Sequence, residues 1–298
     1  MATATLEVND RFRELLDRLT QKSIDDYYNP YQRFVWADSL ADDQWWMSPD
    51  LLSVYGTPLF DSYDEKTLKA LSKWESINFY SLNVHGIREL LIEVVGRVQT
   101  PAFDVPSDFF HHFIGEENEH MWFFAEFCKR YGGKLYAGPP ALKNPAAEKY
   151  ELEVENFLVF ARILFFEEMV DFYNTRMAQD TSLCETIRQV NRIHHEDESR
   201  HIAFGRELVA HLHARMKAAV RAERVREVEQ YLKRYIVFSL HSFYNPHVYR
   251  DAGLADPLGV RETLIAAEGR RAAERKVIRK PMAFFLKSGI FTDDTLPA

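Results

Sequence analysis

The sequence predicts an all-α protein, a four-helix bundle of long antiparallel helices with further helices at its ends. Three observations carry that prediction. Apolar residues recur with helical period through roughly 64–97, 107–132, 147–178, 182–216 and 221–246. The twelve glycines and twelve prolines cluster outside those stretches. No series of strands and no repeat of solenoid period interrupts them. Helices of this length bury their apolar stripes by packing side by side.

Taken in order, residues 6–24 read as a first amphipathic helix. The segment 28–62 is irregular, with Pro30, Pro49 and Pro58 among Trp36, Trp45 and Trp46, and suggests cover over a pocket. The first long break, QTPAFDVPSD, ends where Ser107 or Asp108 would cap the next helix. The second break, YGGKLYAGPPALKNP, is the richest in helix breakers. A shorter helix near 257–273 and a loose tail complete one domain, 1–298, whose bundle core is about 64–216.

Composition narrows the function. Hydrophobic residues make up 46% and aromatics 14% of 298 residues, enough for a substantial core. A net charge of -8 with no basic block argues against nucleic acid as a partner. Cys128 and Cys184 are too few for a disulfide scaffold or a Cys-rich zinc site and read as reduced thiols. MATATLEVNDRF has no signal-peptide pattern, and no run of eighteen apolar residues exists. A cytoplasmic, soluble protein is the expectation.

The informative feature is a pair of Glu-x-x-His motifs, Glu117-Asn-Glu-His120 and Glu198-Ser-Arg-His201. Residues three apart share a helical face, about 5–6 Å apart at Cβ. A carboxylate and an imidazole so placed converge on one metal ion. Both pairs fall on apolar stripes: Phe110, Phe113, Ile114, Met121, Phe124 and Phe127 in the first helix, Ile187, Val190, Ile202 and Leu208 in the second. His194 shares the face of Glu198 and His201. Ionised carboxylates buried without partners cost several kcal/mol each, an objection that a divalent cation removes.

A two-metal bundle site needs one carboxylate from each of two other helices. ILFFEEMVDFY offers Glu167 or Glu168 in a strongly apolar setting. The helix before the first motif offers Glu75, Glu89 and Glu93; Glu89 lies nearest the level of Glu117 in an antiparallel neighbour, with Glu93 next. Glu116 and Asp197 each precede a motif Glu and would orient the opposite histidines through their second ring nitrogen. Arg162, about one turn before Glu167, would pair with a substrate carboxylate or support a ligand. Six or more O/N ligands suit iron or manganese, Fe/Fe and Mn/Fe alike, better than catalytic zinc.

The string His194-His-Glu-Asp-Glu198-Ser-Arg-His201 resembles the fourth-helix motif of the p-aminobenzoate N-oxygenase family, with its third histidine four residues before the last Glu. Glu116 before Glu117 fits the same pattern, and so does the spacing from Glu167 to His194. The stretch before Pro101-Ala102-Phe103 is similar too and points to Glu89. The likeness covers about 64–210. It implies a ferritin-like diiron protein whose ligands are Glu89, Glu117, His120, Glu167, His194, Glu198 and His201. It further implies two Fe ions, O2 as co-substrate and oxidation of an amine to a hydroxylamine or nitro compound. Electrons must then come from a separate ferredoxin or reductase, since the chain lacks flavin and nicotinamide fingerprints. A homodimer is the family expectation. The competing readings are another diiron oxidase, such as a hydroxylase, desaturase or radical generator, and a non-enzymatic iron-binding protein.

Overall fold

The computed structural model describes residues 8–140, 142 and 151–297. Among these there is no strand. Helices α1 (Asp10–Asp25), α2 (Pro30–Arg33) and α3 (Pro58–Ser62) lead into α4 (Glu65–Val95). Next come α5 (Ser107–Phe127), α6 (Leu152–Gln179), α7 (Glu185–Ala219) and α8 (Ala222–His241). Four shorter helices follow: α9 (Pro246–Asp251), α10 (Pro257–Ala266), α11 (Glu268–Val277) and α12 (Arg279–Lys287).

Helices α4, α5, α6 and α7 form the bundle, with α6 packed along α7 and α4 along α5. Side-chain contacts fix the directions. Tyr80 meets Phe124, while Ile77, one turn earlier, meets Cys128 and lies against Gly132, which sets α4 antiparallel to α5. Phe79 meets Tyr173, while the ring of Phe166 presses on Gly86, where any Cβ would lie within 2.4 Å of it. Helix α6 is therefore also antiparallel to α4 and approaches it closely. Phe109, Phe110, Phe123, Phe124 and Phe127 of α5 are all fully buried. Large rings at helical spacing fill the space that four diverging helices leave, and this fixes their separation.

Local chemistry sets several boundaries. Asn9 caps α1 through the N–H of Phe12, and Asp64 caps α4 through that of Thr67. Neither Ser107 nor Asp108 caps α5. Pro106 holds that position, while Ser107 accepts from the N–H of Gln99 and donates to the carbonyl of Phe103. The expected start of α6 near 147 lies outside the described residues. The tail is not loose, because α12 buries Met282 and Phe285. The segment near 257–273 is two helices broken at Ala267. The Pro- and Trp-rich segment, expected to cover a pocket, packs on α5 instead, where Phe34 and Trp36 stack on each other and Phe34 meets Phe123. Nearby, Tyr28 reaches inward to Asp197.

Candidate metal centre

Helix α5 points Glu117 and His120, and α7 points Glu198 and His201, into one buried cluster whose ligand atoms lie within 4.8 Å of one another. Glu117 Oε1 is 2.8 Å from His201 Nδ1 and 3.4 Å from His120 Nδ1. Glu198 Oε1 is 3.5 Å from His120 Nδ1 and 3.6 Å from His201 Nδ1. Two donors each about 2.1 Å from one ion, at right angles, would be about 3 Å apart, so this spacing suits coordination. Glu167 approaches from α6, its Oε2 4.0 Å from His201 Nδ1. His194 Nε2 lies 3.1 Å from Glu198 Oε1.

The decisive test of fit is what these atoms lack. Both carboxylate oxygens of Glu117 and of Glu198, Glu167 Oε1, and the Nδ1 atoms of His120 and His201 are buried without a hydrogen-bond partner. Leaving so many strong donors and acceptors unsatisfied in one place is costly unless something bonds to all of them. The outward nitrogens, by contrast, are satisfied. His120 Nε2 donates to Asp197 at 3.0 Å, and His201 Nε2 donates to Glu116 at 2.7 Å. Each carboxylate fixes the ring tautomer that leaves Nδ1 facing the cluster.

His194 is arranged the same way with an amide. Asn174 sits 2.5 Å from His194 Nδ1, and its Oδ1 has no other partner. The amide orientation that satisfies both groups has Oδ1 accept from Nδ1–H. Nε2 then turns its lone pair toward Glu198, and two lone pairs so opposed call for a cation between them. Burial pushes His194 down to about 4, so the ring is neutral and free to bind one.

A family model of p-aminobenzoate N-oxygenase AurF matches residues 9–289. The chain belongs to the p-aminobenzoate N-oxygenase AurF family. A comparison with curated proteins finds no match. The family match extends the sequence resemblance, read over about 64–210, to both terminal regions.

Six of the seven ligand candidates of this AurF-family chain thus converge: Glu117, His120, Glu167, His194, Glu198 and His201. Glu168, the alternative to Glu167, is held by both arms of Arg206 at 2.9 and 2.8 Å. Glu89 is corrected. Its side chain is 69% exposed and pairs with Arg88. It lies about two and a half turns beyond Tyr80, which points into the bundle, and so faces the opposite way. Glu93 pairs with Arg97, and Glu75 accepts from Ser53, so neither replaces it. Arg162 is not beside a ligand either; its guanidinium lies by Tyr231 and Tyr235.

The sequence reading missed Arg200, which is buried and bridges Asp197 at 2.6 Å and Glu116 at 2.7 Å. It ties together the two carboxylates that orient histidines from opposite helices. The signal was present: Arg200 is i+3 from Asp197, one turn along the same face. Tyr28 and Asn174 carried no local signal, because their partners are 169 and 20 residues away.

The cluster holds protons that a metal must displace. Burial disfavours a charged His120, yet the Glu117 and Asp197 carboxylates push it up to about 10. Burial also opposes charge on His201, but Glu198, Glu116 and Glu117 raise it well above its ordinary value. Burial and the charges of Glu117 and Glu198 raise Glu167 well above the usual carboxylate range. Each shift favours the protonated form in the absence of a cation, and a bound cation would displace those protons. Adding Mn2+ or Fe2+ to chelator-treated protein at about pH 7 is therefore expected to release protons, and affinity should rise with pH. Titration in a weak buffer with a pH dye reads this directly. Binding without acid release, with an affinity flat across about pH 6–8, would contradict the assignment.

Proposed function

We propose that this protein is a diiron N-oxygenase that oxidises the amine nitrogen of a small aromatic substrate. The observation that supports it most is the cluster of three carboxylates and three imidazoles with unpartnered, inward-facing donors, in a chain of the AurF family. Glu117, His120, Glu167, His194, Glu198 and His201 would hold the two ions. Bound iron would supply dioxygen binding and the oxidation of the amine; the same donor set also suits Mn/Fe.

The chain's own residues set the surroundings. Asp197 and Glu116 hold His120 and His201 in one tautomer, so no side-chain rotation is needed on metal binding. The aromatic residues of α5 keep bulk water from the cluster. A cavity of about 360 Å³ opens between α4, α6 and α8. Its floor includes the buried Met169 and Val170, the latter one turn from Glu167 on the same face of α6. Phe166 and Tyr235 line its walls with Arg162 as a positive charge, while Arg88 is paired with Glu89 at the same cavity. An aromatic ring bearing an amine at one end and a carboxylate at the other suits that lining. Its amine would point to the floor and its carboxylate to Arg162. Electrons would come from a separate ferredoxin or reductase.

Protein loaded with two Fe2+ per chain, supplied with reductant, O2 and p-aminobenzoate or other arylamines, is expected to yield hydroxylamine and nitro products. Mass spectrometry of the products and metal analysis of the same sample test this. Two irons per chain with no N-oxidised product from any arylamine would defeat the proposal.

A further inference from the structure

Resting on the reading of the cluster as a two-metal centre, we propose that α4 completes it with a neutral amide, Asn83, in place of a carboxylate. The four acids within α4 are all engaged elsewhere. Glu65 pairs with Lys69, Glu75 accepts from Ser53, Glu89 pairs with Arg88 and Glu93 pairs with Arg97. The one histidine of α4, His85, bonds the carbonyl of Tyr136. No acidic donor is left on this helix, and His85, whose Nδ1 has no partner, is five residues on from the inward-pointing Tyr80 and turns its ring against Gly138, away from the cluster.

Register places Asn83 at the cluster's level. Helices α4 and α7 run parallel, since both are antiparallel to α5, α7 through its Phe204–Phe109 and His194–His120 contacts. Tyr80 of α4 accepts from Asn191 of α7 at 2.7 Å across the bundle. Three residues further along each helix stand Asn83 and His194. On the α6 side, Asn83 falls between the Phe79–Tyr173 and Gly86–Phe166 contacts, which flank the turn carrying Glu167 and Val170.

The side chain itself is primed to donate. Asn83 is fully buried, and its Nδ2 donates to the carbonyl of Phe79 at 2.8 Å. That bond fixes the amide and leaves Oδ1, buried and without a partner, as its free end. A buried acceptor left unmade is destabilising, and a cation or a cation-bound water satisfies it. An amide oxygen brings no charge. The centre then sets three carboxylate charges against two divalent ions. An ion held in part by Asn83 would be held less tightly than one held by carboxylates and imidazoles alone.

Titration of the chelator-treated protein with Mn2+, read by calorimetry and by EPR of the coupled pair, tests this. Wild type should show two unequal sites. Asn83→Asp, which adds a charge at unchanged size, should tighten the weaker site by about tenfold or more. Asn83→Leu should lose the weaker site and the coupled signal while the tighter site keeps its affinity; helix content by circular dichroism serves as the folding control. Two ions bound with wild-type affinities in both variants would overturn the assignment alone. A raised KM for the amine with unchanged metal binding would also overturn it, moving Asn83 to the substrate. A wild type that takes up no Mn2+ would overturn the two-metal reading, and this assignment with it.

Discussion

Glu198→Ala is expected to empty the centre. Glu198 Oε1 lies within 3.6 Å of all three cluster histidines. Burial opposes its ionisation, but His194, Glu167 and His201 hold it well below the usual carboxylate range. It is therefore the charged, shared donor around which the others are placed. Its loss should reduce bound iron from two ions per chain to less than one. A metal's contribution to such chemistry is several kcal/mol, and ~4 kcal/mol corresponds to about a thousandfold in rate. Arylamine oxidation should fall by on the order of a thousandfold or more. Glu168→Gln is the control. Glu168 is equally buried and adjacent to a ligand candidate, but its charge belongs to Arg206. That variant should keep both ions. Metal analysis of the two purified variants decides the matter: full iron in Glu198→Ala, or none in Glu168→Gln, would reverse the roles given to these residues.

The contrast between those two glutamates shows what the sequence could reveal. The motif residues were legible because a spacing of three fixes two side chains on one face, and the apolar stripe of α5 or α7 says which face is inside. Glu116 and Asp197 were legible because they ride on the same helices, one residue before each motif Glu. Helix α4 gave no such guide. It is buried almost without interruption from Glu75 to Val84, so apolar residues occur all round it and no stripe marks the inner face. Level along the helix and the likeness of the stretch before Pro101-Ala102-Phe103 both selected Glu89, and neither reports the face, which proved to be the wrong one. The choice between Glu167 and Glu168 depended on Arg206, thirty-eight residues away and invisible to local pattern. The helices themselves were legible throughout, except where a short amphipathic element such as α12 hid among turns.

Arg200→Met is expected to have the largest effect on stability, and the effect should depend on metal. Arg200 is the cation that meets Asp197 and Glu116, with Asp26 at its outer edge. Removing one member of a buried ion pair costs about 3–5 kcal/mol, because the partner is left charged in a poor solvent. Asp26 and Glu116 retain some contact with water, which puts the expected cost near 3 kcal/mol. Those carboxylates also orient His120 and His201, so loosening them should weaken metal binding by about 10–100-fold. Without metal, Arg200 is the fixed positive charge held against Glu116 and Asp197, the carboxylates behind His201 and His120. With two divalent ions bound, that role is shared. Urea unfolding of the chelator-treated variant should therefore show a greater loss, relative to wild type under the same conditions, than unfolding at metal concentrations saturating both proteins. Equal losses in the two states would mean that Arg200 supports the helices and not the electrostatics of the centre. In that case the carboxylate–histidine pairs would have to hold their geometry without it.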